Sequence, residues 1–149
     1  MSVTMTRAGA ESVALAAPLF DRYRQFYGQP ADLPGAAAFL ADRLARGESA
    51  LYLAIDGEAA VGFVQLYPSF SSVRLRPIWI LNDLFVVESA RGQGVARLLM
   101  DAALGLACST GAACLALSTA KDNHAARALY LSLGYHLDEA FDHLELPLG

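Results

Sequence analysis

The chain has 149 residues, 55% hydrophobic and 17% charged, a composition that suits one folded domain over residues 1–149 and excludes a disordered one. Eleven basic and 15 acidic residues give a formal charge of −4, which argues against a nucleic-acid binder, since such proteins present a basic face to phosphates. The opening MSVTMTRAGAES has no signal-peptide pattern, and no apolar run approaches the ~20 residues of a membrane helix. A soluble cytoplasmic protein that binds no membrane is the expectation.

Alternation over Val3–Arg7 predicts a first strand. Val13, Ala16, Ala17, Phe20, Tyr23 and Tyr27 then recur at three- and four-residue steps, which predicts a helix over Ser12–Tyr27 with Ser12 as N-cap and Gly28 as its stop. A second helix is predicted over Leu33–Arg46, with Pro34 in its first turn, Gly47 beyond its end and Phe39, Leu40 and Leu44 on its buried stripe. In ALYLAIDGEAAVGFVQLYPSF the period changes to two strands about Asp56-Gly57, a hairpin signal. After the polar turn SSVRLRP comes IWILNDLFVV, Ile78–Val87, which reads as a central strand buried on both faces.

The stretch ESARGQGVARLLM leads into a helix with Val95, Leu98, Leu99, Ala102 and Leu106 on one face, ended by Thr110-Gly111. ACLALST is a further short strand, and DNHAARALYLSL a helix started by Asp122 or Asn123 and stopped by Gly134. Two last strands are expected near Tyr135–Leu137 and Phe141–Leu146. This order implies a mixed sheet with helices on both faces. Within it, Ile78–Thr119 must form a right-handed parallel crossover, the kind of unit beyond whose strand ends a ligand lodges.

Two constellations carry chemistry. In RGQGVAR, Gly92 and Gly94 leave the backbone bare, the unpaired N–H groups of a helix start point outward, and Arg91 and Arg97 add formal charge. The turn therefore suits a pyrophosphate, though a plain glycine turn with solvated arginines would read the same. The P-loop and dinucleotide fingerprints are excluded: no GK[ST] follows, and Arg97 stands where the latter needs a small residue. The second constellation is Asn123, Ala126, Arg127 and Tyr130; Asn123, Ala126 and Tyr130 share one helical face. Asn123 can bond an amide or cap its own helix, and Tyr130 can donate a proton or pack as a core aromatic. His124, His136 and His143 form no metal triad, Cys108 and Cys114 no CxxC pair, and no metal is expected.

Taken together, Arg91, Gly94 and Ala96 followed by Asn123, Ala126, Tyr130, Gly134 and Tyr135 resemble the pattern of the GNAT superfamily of acyl-CoA-dependent N-acetyltransferases. The resemblance implies an α/β fold, a mostly antiparallel mixed sheet of six to seven strands with about four helices on both faces. It implies that backbone N–H groups over Gly92, Gln93, Gly94, Val95, Ala96 and Arg97 hold the pyrophosphate of acetyl-CoA, with Arg91 beside them. The strand edge at Phe85, Val86 and Val87 would pair with the pantetheine arm, one N–H there polarising the thioester carbonyl. Asn123, Ala126 and Arg127 would meet the arm further along, and Tyr130 would protonate the leaving thiolate.

LNDLFV is similar to the LEDLYV strand of small-amine and diamine acetyltransferases, with Asn82 where the family has a glutamate linked to the acceptor. Asparagine orients an ammonium or a water but accepts no proton, so the base stays unassigned. Alternation would send Asp83 to the opposite face. Tyr27 and Phe70 are candidates to line the acceptor pocket of a small-molecule amine, and a homodimer is expected. A non-catalytic acyl-CoA-binding or regulatory domain is the alternative that Asn82 suggests.

Overall fold

The computed structural model describes residues 2–149. Five strands and four helices follow one another as β1 (Val3–Arg7), α1 (Val13–Phe26), α2 (Leu33–Ala45), β2 (Ala50–Asp56), β3 (Ala59–Ser71), β4 (Arg76–Val86), α3 (Val95–Ser109), β5 (Leu115–Ala116) and α4 (His124–Ser132). Short 3-10 turns at Ala10–Ser12 and Glu88–Ala90 precede α1 and α3. The chain divides into two compact units, residues 1–117 and 118–149. No helix among the described residues is long and apolar enough to cross a membrane.

The first unit is built on a mixed sheet in the order β1-β2-β3-β4-β5. The first three pairings are antiparallel, and β4 with β5 is parallel. The hairpin between β2 and β3 turns on Gly57 and Glu58, one residue later than the Asp56-Gly57 signal implied, because Asp56 still pairs with Ala59. Gly57 takes φ +64°, the left-handed value that a primed hairpin turn demands at its first central residue.

Alternation on β3 sends Gly62 and Phe63 to opposite faces, and each face has its helix. The Phe63 ring meets Phe20 of α1 edge-on at 6.0 Å. On the other side, a Cβ placed on Gly62 would lie 3.1 Å from Leu99 Cδ1 of α3, so glycine lets that helix approach closely. Leu40, Leu51, Leu53, Phe63, Leu66 and Leu99 are the large side chains sealed between these layers. Each such burial stabilises by roughly 1.5–3 kcal/mol before entropy is counted.

The sheet has five strands, not six to seven. β5 is cut to Leu115–Ala116 because its register reaches β4 only at Trp79 and Ile80. In the second unit, neither Tyr135–Leu137 nor Phe141–Leu146 forms a strand. There Asp138 Oδ1 accepts the N–H groups of Ala140 (2.9 Å) and Phe141 (3.2 Å), a local turn that competes with extended pairing. The same unit holds α4, closed by Gly134 at φ +95° and by the Tyr135 N–H on the Tyr130 carbonyl at 3.1 Å.

Candidate active site

The end of β4 has one free side. Beyond Ile80 the strand keeps β3 as its neighbour and has no strand opposite among the described residues. Which groups face that opening follows from one bond. The Val87 N–H donates to the Val61 carbonyl at 2.9 Å, so Val87 points toward the β3 side. Antiparallel pairing alternates, which turns Phe85 to β3 as well and leaves the main chains of Val86 and Leu84 on the open side. Both sides agree with this: the Phe85 carbonyl crowds Gly62 on β3, and Arg91 Nε reaches the Val86 carbonyl at 3.0 Å. Of the three edge residues expected from the sequence, only Val86 presents its main chain there. Leu84, its counterpart, went unnoticed because alternation within an all-apolar run leaves no mark in the residue types.

The turn that follows is open at its backbone. Gly92 and Gly94 take φ +76° and +81°, and a Cβ on either would meet nothing within 4 Å. Gly94 is also the N-cap of α3 and brings no side chain to its first N–H groups. The first helical bond runs from the Leu98 N–H to the Gly94 carbonyl (3.2 Å), so Val95 and Ala96 precede the ladder and have no acceptor within the helix. Val95 buries its side chain, leaving the main chain as what it offers outward. Gln93 folds back, its Nε2 on the Ser89 carbonyl at 3.3 Å. Arg91 is held by the Val86 carbonyl and lies 5.9 Å from the centre of the Phe85 ring, so its charge is fixed where the strand edge meets the turn. A bare helix start with aligned N–H groups and an anchored guanidinium fits a pyrophosphate.

Asn82 occupies a β-bulge. Gln65 pairs with Asp83 and Leu66 with Leu81, so Asn82 is the extra residue between them. The bulge breaks the alternation that was to separate Asn82 from Asp83. Instead Asn82 Nδ2 donates to Asp83 Oδ1 at 3.0 Å, while Gln65 Nε2 donates to Asp83 Oδ2 at 2.9 Å. Asp83 is 6% exposed and Gln65 0%, and the buried Gln65 Oε1 has no partner among the described residues. Tyr67 lies two residues from Gln65 on β3. Burial, and then the charge of Asp83, push its phenol up to about 12, against a smaller opposing effect of Arg43. Gln65 was legible in principle: it is a lone polar residue inside FVQLY, an otherwise apolar and aromatic run.

The acceptor candidates part company. Tyr27 closes α1 half-exposed, 5.1 Å from Tyr23, whose ring lies 5.5 Å from Phe63 and 6.0 Å from Phe85. An aromatic row thus runs from Tyr27 to the strand edge. Phe70 is 79% exposed and pairs with Pro77, five residues along β3 from Gln65, or ~17 Å at strand rise. The structure does not bring it to that edge.

In the second unit, Asn123 is the N-cap of α4, its Oδ1 accepting the Ala126 N–H at 3.2 Å. That engages the oxygen and leaves Nδ2 as the end of the amide not used in capping. Arg127 is half-buried one position beyond Ala126, its N–H on the Asn123 carbonyl at 3.0 Å. Tyr130 is 9% exposed, with its ring 6.0 Å from that of Tyr135, whose phenol burial pushes up.

A sheet opened on one side of β4, followed directly by a bare helix start, can receive an extended ligand with an anionic end. The model of the Acetyltransferase (GNAT) family matches residues 16–135. An uncharacterized N-acetyltransferase of Bacillus subtilis, YhfO, is 46% identical over 141 residues, 95% of each chain. The crystal structure of a probable acetyltransferase superposes with TM-score 0.93 at 42% identity, covering 98% of both chains. An aminoglycoside N-acetyltransferase, AAC(6')-Iy, solved in complex with CoA, shares the fold at TM-score 0.80 and 20% identity, over 99% of this chain and 96% of that one. The chain belongs to the acetyltransferase (GNAT) family. It is an N-acetyltransferase, and the alternative of a non-catalytic binding domain gives way to that.

Proposed function

We propose that the chain moves an acetyl group from acetyl-CoA to a small primary amine by direct attack while both are bound, as in the small-amine branch that LNDLFV resembles. The observation that carries this is the continuity of the Val86 edge, the Arg91 anchor and the uncapped start of α3. Acetyl-CoA supplies an acetyl thioester and a pyrophosphate handle. The main-chain N–H groups of Gly92–Arg97, together with the Arg91 guanidinium, hold the pyrophosphate. The main chains of Val86 and Leu84 pair with the pantetheine amides, and an N–H on that edge polarises the thioester carbonyl. Asn123, Ala126 and Arg127 contact the arm further along.

The ammonium loses one proton to solvent, its nitrogen bonds the acetyl carbon as the carbon–sulfur bond breaks, Tyr130 gives its phenolic proton to the sulfur, and the second proton shed by the new amide nitrogen restores the phenol. Holding both reactants in one site supplies much of the acceleration. Tyr27 lines the acceptor side at the end of its aromatic row. Phe70 lies away from that side, and the enzyme is proposed to be a cytoplasmic homodimer.

Two measurements test the reading. CoA and acetyl-CoA should each raise the melting temperature, and thiol should be released from acetyl-CoA with spermidine, tyramine, L-lysine or ethanolamine. No melting shift at millimolar CoA would end the coenzyme assignment. A shift without thiol release on any of the four would end the amine assignment.

A further inference from the structure

Two surfaces of the chain lack a partner, and each offers what the other needs. The first is residues 136–149, every one of them exposed. Within residues 118–149 only Tyr130 is buried, while Leu131, Leu137, Phe141, Leu144, Leu146 and Leu148 stand in water, Leu144 and Leu148 at 92%. Exposed apolar groups gathered in this way mark an interaction site. Leu144, Leu146 and Leu148 alternate with His143, Glu145 and Pro147, the period of a strand buried on one face. Pro147 has no N–H, so in an edge strand its main chain faces away from the ladder and those of the leucines face toward it. The segment is also acidic, with Asp138, Glu139, Asp142 and Glu145, and no arginine or lysine follows Arg127.

The second surface is the outer arm of the β3–β4 hairpin. β2 pairs as far as Ala50 with Leu66, and β3 runs on to Ser71 with no strand on that side among the described residues. The Trp79 N–H donates to the Cys114 carbonyl at 3.2 Å, and the Pro77 carbonyl accepts from Ala113 at 2.8 Å, so both residues face β5. Their partners Pro68 and Phe70 therefore turn their main chains to the free edge. At the tip Phe70, Val73 (97%) and Leu75 are exposed, and Leu75 stands in the left-handed region at φ +55°. Between Gln65 and Asp83 the charged residues are Arg74 and Arg76, without an acid. Arg76 Nη2 is taken by the Gly111 and Ala112 carbonyls, and Arg74 has no ion pair among the described residues.

We propose that residues 141–148 of one copy add as an antiparallel strand to Pro68–Phe70 of a second copy, and the reverse. This deepens the homodimer of the proposed function and rests on that reading, while nothing in it depends on the coenzyme. Pairing through Leu144, Leu146 and Leu148 sets those side chains on the same face as Phe70. It also brings the acidic segment to the arginine-bearing tip. Charge selects this pairing: segment against segment would oppose four carboxylates to four, and tip against tip would oppose arginines. Two equal contacts close about a two-fold axis and leave neither surface over.

The test is sedimentation of the parent, of Val73→Asp/Leu75→Asp and of Leu144→Asp/Leu146→Asp. All four positions are exposed, so each variant should keep its fold and its melting shift with CoA. The parent should be a dimer, and each variant alone should dissociate at least ~100-fold more readily. An equal mixture of the two variants should hold more dimer than either alone, because one intact hairpin and one intact segment remain between them. Variants as dimeric as the parent, or a mixture no better than its components, would overturn the proposal. So would a parent that is monomeric at millimolar concentration, and a CoA melting shift in that sample would leave the coenzyme reading standing. Should a variant unfold, hydrogen exchange of the parent decides. Protection over residues 67–71 and 141–148 should rise with protein concentration, and exchange independent of concentration there would overturn the pairing.

Discussion

Both α3 and α4 begin with N–H groups that no helix can satisfy from within, and the two ends treat them differently. At α4 the Asn123 side chain reaches over to the Ala126 N–H at 3.2 Å. At α2 Asp32 does the same for Gly35 at 3.0 Å. At α3 the cap is Gly94 in the left-handed region, with nothing to offer and nothing in the way. A capping side chain there would gain only a few tenths of a kcal/mol over glycine. In the proposed function those N–H groups take the pyrophosphate. In that proposal α4 works through side chains, above all Tyr130, and α3 through its backbone.

The largest effect should come from the side-chain helix. Tyr130→Phe should lower kcat by roughly 100-fold or more, read as thiol release across the pH range. Turnover at the parent rate throughout would remove the proton-donor role. Next comes the backbone helix. Gly94→Asp would place a carboxylate where the pyrophosphate is proposed to lie, and aspartate tolerates positive φ better than most residues. The acetyl-CoA KM should rise on the order of 100-fold, the loss of about two charge-assisted hydrogen bonds. An unchanged KM would mean that the helix start is an ordinary turn.

The contrast sharpens with Asp32→Ala, which removes a cap at a helix given no ligand. It should lower unfolding stability by about 1 kcal/mol with an unchanged denaturant slope, and leave the acetyl-CoA KM as it was. If it weakened coenzyme binding as much as Gly94→Asp, capping and binding would not be separable in this way.

The smallest effect concerns Tyr67. Its phenol, raised from 10.0 to about 12 in the fold, ionises in the unfolded chain first. Its contribution is therefore complete below pH 10 and is lost as pH rises toward 12. Tyr67→Phe should flatten the fall of the urea midpoint over that window, and an unaltered fall would show that Asp83 and burial do not act on it.

What the sequence disclosed follows the range of the interactions involved. Helix limits were set by neighbours in the chain, and Gly28, Gly47 and Gly134 all stand in the left-handed region just beyond their helices. The turn at Arg91–Arg97 was legible because glycines at two-residue spacing carry a local meaning. Strand identity in residues 135–149 was not, since alternation describes a strand only where a partner edge exists, and Asp138 offers those residues a turn instead. The bulge was the costliest omission. It depends on the register of β3 against β4, which no period in either strand reveals, and it brought Asp83 back to Asn82.

Everything proposed for the coenzyme depends on the start of α3 acting as an anion site. Calorimetric titration of the protein with CoA, and separately with pantetheine, which has the same arm and no pyrophosphate, measures that directly. Pantetheine should bind at least ~100-fold more weakly, and Gly94→Asp should erase the difference. Equal affinities for the two in the parent protein would contradict it.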